Sequence, residues 1–136
     1  RQWAVGRRQS AKTKVGVVNI QSYRDLRVWQ EAMTLAEITY RLTKSFPKEE
    51  MFGLTAQMRR ASVSVPSNIA EGYGRESTAS YIQFLRVAQG SLKELETHAL
   101  LANRVGHLTQ DDLNTVLSAA ESTGKMLRGL IRSLEK

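Results

Sequence analysis

Hydrophobic residues recur at helical spacing in four segments between residues 25 and 134, separated by short polar or glycine-bearing breaks. The first segment spans about Asp25 to Ser45, with Asp25 as candidate N-cap and Phe46-Pro47 as the stop. At about 100° per residue, Leu26, Trp29, Met33, Ala36 and Tyr40 form one apolar stripe. Val28, Ala32, Leu35, Ile38 and Leu42 form a second beside it, leaving Arg27, Gln30, Thr34, Glu37 and Arg41 as a narrow polar face. So wide an apolar arc requires cover on more than one side. In a chain of 136 residues the second cover is expected from another subunit, with Trp29 as the candidate oligomer contact.

The second segment spans about Glu49 to Glu71, with Leu54, Met58, Ala61, Val65 and Ile69 at helical spacing. Pro66 lies inside it, and a proline there removes a backbone donor and crowds the carbonyl four residues back, so a kink is expected. Ser62, Ser64, Ser67 and Asn68 crowd around it; short polar side chains can satisfy freed backbone groups and let another backbone approach. Gln57, Arg60, Ser64, Ser67 and Glu71 fall on one side, which predicts a polar network that fixes bundle register or a subunit contact, with Glu71 neutralising Arg60 or Arg75. Gly72 and Gly74 read as the end of this helix. Gln57, Arg60, Pro66, Asn68, Glu71 and Gly72 together form a candidate structural motif.

The third segment starts after Glu76-Ser77 and runs to about Val105, with Tyr81, Phe84, Leu85, Ala88, Leu92, Leu95, Ala99 and Ala102 on one face. Gly90 in its middle costs about 1 kcal/mol relative to alanine, and a close helix crossing at Gly90-Ser91 is the expected compensation. Gly106-His107 closes the segment, and Thr109 with Asp112 resembles a capping box opening the last helix. That helix turns Leu113, Val116, Leu117, Ala120, Leu127, Leu130, Ile131 and Leu134 to the core. The short connections predict an all-α, antiparallel up-down-up-down four-helix bundle over residues 23–136, kinked at Pro66 and assembling as a homo-oligomer.

A chain of this length, 41% hydrophobic, buries enough surface to stand as one domain. The absence of Cys excludes disulfides, thiol nucleophiles and Cys-type zinc or iron–sulfur sites, and fits a reducing cytosol. The net charge of +7 is uneven: residues 1–22 carry five basic residues and no acid, whereas residues 23–136 carry fifteen basic and thirteen acidic ones. Residues 1–22 therefore read as a basic arm, flexible or appended, outside the bundle. Val15 to Ile20 is too short for a signal peptide or a membrane span, so the expected setting is cytoplasmic, with no membrane partner.

Candidate chemistry is sparse. A di-iron bundle needs two Glu-x-x-His pairs, and there are none. His98 falls at the edge of an apolar face, where a packed, hydrogen-bonded histidine is expected, and His107 has no evident ligand partner. No nucleophile elbow or phosphate loop occurs, and Gly72-Tyr73-Gly74 follows a helix. The expectation is a protein without catalytic residues, metal or cofactor. Arg24, Arg27, Arg59, Arg75 and Arg86 are the candidate contacts to RNA or DNA, because guanidinium groups bind phosphate bidentately.

Tyr23-Arg24-Asp25-Leu26-Arg27-Val28-Trp29, the run Phe52 to Ala61, Ser64-Val65-Pro66-Ser67-Asn68-Ile69-Ala70-Glu71-Gly72 and Gly90 to Thr97 are specific motifs in fixed order. Over about residues 23–134 the chain resembles the four-helix-bundle proteins encoded in intervening sequences of bacterial 23S ribosomal RNA genes. The resemblance implies an antiparallel bundle, a homopentamer and a bacterial cytoplasmic setting. A related branch, the accessory proteins of diversity-generating retroelements, consists of basic pentameric barrels that bind nucleic acid and a reverse transcriptase. Two functions are therefore expected: a nucleic-acid-binding accessory or assembly factor, or a structural scaffold that recruits an unidentified protein and binds no nucleic acid. Arginines gathered on one surface would favour the first; scattered, paired charges would favour the second.

Overall fold

The computed structural model of the chain describes residues 19–136. It is all-helical, with α1 at Arg27–Thr43, α2 at Leu54–Tyr73, α3 at Thr78–Arg104 and α4 at Gln110–Leu134. Single 3-10 turns at Tyr23–Asp25 and Lys48–Glu50 precede α1 and α2, and no strand occurs among the described residues.

The start of α1 differs from the expectation. Asp25 does not cap it. The Asp25 carboxylate instead accepts from the backbone N–H groups of Gln21 and Ser22, at 2.8 and 3.2 Å, while Ser22 Oγ accepts from the N–H of Arg24 at 3.1 Å. An acid three residues after a serine closes this reciprocal box one turn early, and Leu26 enters α1 without a side-chain cap. Ile20 and Tyr23 pack against the core, so the folded part begins inside the stretch read as the basic arm. The rest of that stretch, residues 1–18, lies outside the described residues.

Helix α2 starts at Leu54 rather than Glu49, because Glu50 from the preceding turn supplies its first acceptor: Oε1 takes the N–H of Leu54 at 3.1 Å. The helix continues through Pro66 and ends at Tyr73. Gly72 is thus no terminator. It is buried within the last turn, where an added Cβ would lie 2.8 Å from Phe84 Cβ and 3.1 Å from the Tyr81 ring. Only glycine lets α3 come this close. The left-handed terminator is Gly106, with φ +88°; its N–H bonds the carbonyl of Asn103 at 3.1 Å and that of His107 bonds Ala102 at 2.9 Å, closing α3 as expected. Thr109 Oγ1 then accepts from Asp112 N–H at 3.1 Å to open α4.

Helix α1 packs on α2 and α4, and α3 packs on the same two helices. Leu35, Met58, Ile69, Leu85, Leu95, Val116 and Leu127 are fully buried between them. Each such side chain contributes about 1.5–3 kcal/mol by leaving water. Small residues set the crossing of α2 and α3, but at Ser91 rather than Gly90: Ser64 Oγ and Ser91 Oγ are 2.7 Å apart, whereas nothing lies within 4 Å of a Cβ added at Gly90. Asn68 Nδ2 donates to the Ser64 carbonyl and hydroxyl, at 2.8 and 3.0 Å, so the Ser64 hydroxyl is held by Asn68 as well as by Ser91.

Candidate interaction site

The two apolar stripes of α1 go to different places. Val28, Ala32 and Leu35 enter the core, with Ile38 and Leu42 packed against it. Trp29, Met33, Ala36 and Tyr40 turn instead to a cleft between α1 and α2. Its volume is about 450 Å³, and Tyr23, Val63, Pro66 and Ala70 complete its apolar lining; Glu37 is the charged residue in its wall. Trp29 is half-buried and fixed by an edge-on contact to Tyr23, with ring centroids 5.3 Å apart. Met33 and Tyr40 are 37% and 43% exposed. The outer stripe read from the sequence is therefore only partly exposed: Leu26 joins the core and Ala36 is buried, while Met33 and Tyr40 remain open to solvent.

The five arginines are widely placed. Arg59 stacks over the Tyr40 ring at 4.7 Å, donates from Nε to Thr43 Oγ1 at 2.8 Å, and so ties α2 to the end of α1 beside the cleft. Arg75 stacks on Phe84 at 4.6 Å and Arg24 lies over Tyr23 at 5.6 Å. Arg86 pairs with Glu135 at 2.8 Å, and Arg27 borders a small cleft between α1 and α4. Four of the five thus hold aromatic or carboxylate partners of this chain, which lowers their value as phosphate ligands.

The polar network along α2 does not form as expected. Gln57, Arg60, Ser67 and Glu71 do share a face, but that face is exposed apart from Ser64. Glu71 reaches Arg75 only at 4.0 Å, with its side chain 60% exposed, and no ion pair joins it to Arg60 among the described residues. Gln57 and Arg60 instead border a polar cleft of about 260 Å³ with Glu94 and His98. His98 Nδ1 is buried there without a hydrogen-bond partner among the described residues, contrary to the satisfied histidine expected. No group of three or more His, Asp or Glu among the described residues could hold a metal.

A contact that sequence reasoning missed joins the two connections at one end of the protein. His107 Nε2 lies 3.1 Å from Glu50 Oε2, and the Phe46 ring flanks His107 at 5.8 Å. Glu50 is held below its ordinary carboxyl range, first by the Leu54 N–H and then by His107, against a smaller opposing effect of burial. Met51 and Phe52 project beside it, Phe52 with 92% of its surface exposed.

These features define an all-α, four-helix protein with an apolar cleft on one flank. The chain belongs to the 23S rRNA-intervening sequence protein family, whose model matches residues 24–129. Among solved structures it is similar to a protein of unknown function from the S23 ribosomal protein family of Bacteroides thetaiotaomicron, with 21% identity and a TM-score of 0.69 over 76% of this chain and 97% of that one. No curated protein matches the chain. No helix among the described residues is long and apolar enough to cross a membrane.

Proposed function

We propose that the protein is a non-catalytic, self-assembling four-helix scaffold of the bacterial cytoplasm, an antiparallel up-down-up-down bundle bent at Pro66, and that the α1–α2 cleft is its assembly face. The exposure of Trp29, Met33 and Tyr40 in that cleft carries this reading, because a contiguous exposed apolar surface marks an interaction site. The family resemblance favours a ring of five. Light scattering on the full chain over a concentration series tests it: a mass several times that of the protomer is expected, with Trp29→Ala shifting it toward the protomer. A monomer at every concentration would refute the assembly.

Nucleic-acid binding is the second reading, and one observation favours it at a place other than the five arginines. Arg128 and Arg132 are exposed and share one stripe of α4 with Lys125, which lies 4.0 Å from Glu121. Clustered positive charge binds phosphate with a steep salt dependence. Binding of the full chain to a structured RNA, followed across salt, should weaken in Arg128→Glu/Arg132→Glu. Unchanged binding by that variant would assign any affinity to residues elsewhere in the chain.

A further inference from the structure

We propose that the cleft between α2 and α3 lined by Gln57, Arg60, Glu94 and His98 is a binding site for a small zwitterion, an amino acid whose carboxylate meets Arg60 and whose ammonium group meets Glu94. The site stands apart from the assembly reading above, because none of these residues lines the α1–α2 cleft. Spacing brings the four together. Gln57 and Arg60 are three residues apart on α2, and Glu94 and His98 are four apart on α3, so each helix turns one pair of polar side chains to the cleft. Buried Ala61 is the apolar part of the wall, so recognition falls to the polar groups.

Those polar groups are unused by the fold. Arg24, Arg59, Arg75 and Arg86 each hold an aromatic ring or a carboxylate of this chain. Gln57, Arg60, Glu94 and His98 make no hydrogen bond or ion pair with any described residue. Arg60 and Glu94 carry opposite charges and border one cleft of about 260 Å³, yet they do not close on each other. The two helices are pinned close by: Ser64, one turn beyond Arg60, and Ser91, three residues before Glu94, have their hydroxyls 2.7 Å apart. A cation and an anion kept apart on fixed walls match a ligand that carries both charges, and walls already fixed lose little freedom when it binds.

His98 adds a donor of defined identity. Its Nδ1 is buried with no acceptor in reach, so the neutral ring carries its hydrogen on Nε2, which is neither buried without a partner nor bonded within the chain. The Nε2–H, the Gln57 amide and the Arg60 fork then supply donors for a carboxylate, which a guanidinium binds bidentately. Glu94 supplies the acceptor for an ammonium group. A bare anion would meet Glu94 and a bare cation would meet Arg60, so neither satisfies the whole cleft. The volume lies below that of pockets for drug-sized molecules, which suits a ligand of few atoms.

Thermal melts of the full chain, followed by circular dichroism at one protein concentration with each standard amino acid at about 10 mM, test the site. The expected result is a rise in Tm of about 2–6 °C with at least one of them. The rise should vanish for the amide of that amino acid, which lacks the carboxylate, and for its N-acetyl derivative, which lacks the ammonium group. Arg60→Gln and Glu94→Gln exchange exposed side chains for uncharged ones, so the fold persists, as melts without ligand would verify. Titration calorimetry should find the affinity of each variant lower by at least about tenfold. No rise with any amino acid, a blocked derivative that binds as well as the free one, or unchanged affinity in either variant would overturn the site.

Discussion

Replacing Gly72 by alanine would place a methyl carbon 2.8 Å from Phe84 Cβ and 3.2 Å from the Tyr81 carbonyl oxygen. Ordinary carbon contacts are about 3.5–4.0 Å, and neither neighbour is the free end of a flexible side chain. The methyl must therefore push α2 and α3 apart where they run closest. Overpacking of this kind costs about 1–3 kcal/mol, and the gain in helix propensity, at most about 1 kcal/mol, is reduced in a last turn. The expected net loss is about 1–2 kcal/mol. For a chain of this size that lowers Tm by roughly 3–10 °C. Gly90→Ala is the matched control, since it lies in mid-helix with nothing within 4 Å of the new methyl. It should raise stability by up to about 1 kcal/mol. Thermal melts followed by circular dichroism, at one fixed protein concentration because self-association makes Tm concentration-dependent, would compare the two. A Gly72→Ala protein as stable as wild type, or a Gly90→Ala protein less stable than Gly72→Ala, would refute the close-approach account of Gly72.

Other outcomes follow from single contacts. Glu50 is held below its ordinary value of 4.5, so its contacts stabilise the fold above that pH and are lost as pH falls through the lowered folded value. Melts between pH of roughly 3 and 6 should therefore fall less steeply for Glu50→Gln than for wild type; parallel curves would remove Glu50 from the account. Glu71→Ala should leave stability within about 0.5 kcal/mol, because the side chain is solvated and its partner is at 4.0 Å. A loss above about 1 kcal/mol in a denaturant titration would restore the network that the sequence suggested.

Spacing alone identified the four helices and the double stripe of α1, because 3.6-residue periodicity is a local property that packing then uses. It also placed Gln57, Arg60, Ser67 and Glu71 on one face. Periodicity tells which residues share a face and not what covers that face, and here water does. Gly72 was misread for a related reason: a glycine near a helix end has the same local signature whether it terminates the helix or admits a neighbour, and the neighbour, Phe84, is known only from tertiary packing. The Glu50–His107 pair joins residues 57 apart in sequence, and no local pattern links them. The cleft was half legible. Its α1 wall follows from the Trp29–Tyr40 stripe, whereas Val63 and Ala70 enter it through the angle at which α2 lies.

The order in which the helices touch bears on how the chain folds. Three of the four helix contacts join sequence neighbours, across residues 44–53, 74–77 and 105–109, but α4 meets α1 only by enclosing residues 44 to 109. Loop closure entropy grows with the logarithm of length, so this last contact costs about 2 kcal/mol more to form than the others. During synthesis α1 and α2 have both been made once Tyr73 has emerged, well before α4 exists to seal the far side. The two helices that line the cleft are thus both made while the core that α4 completes is still unfinished.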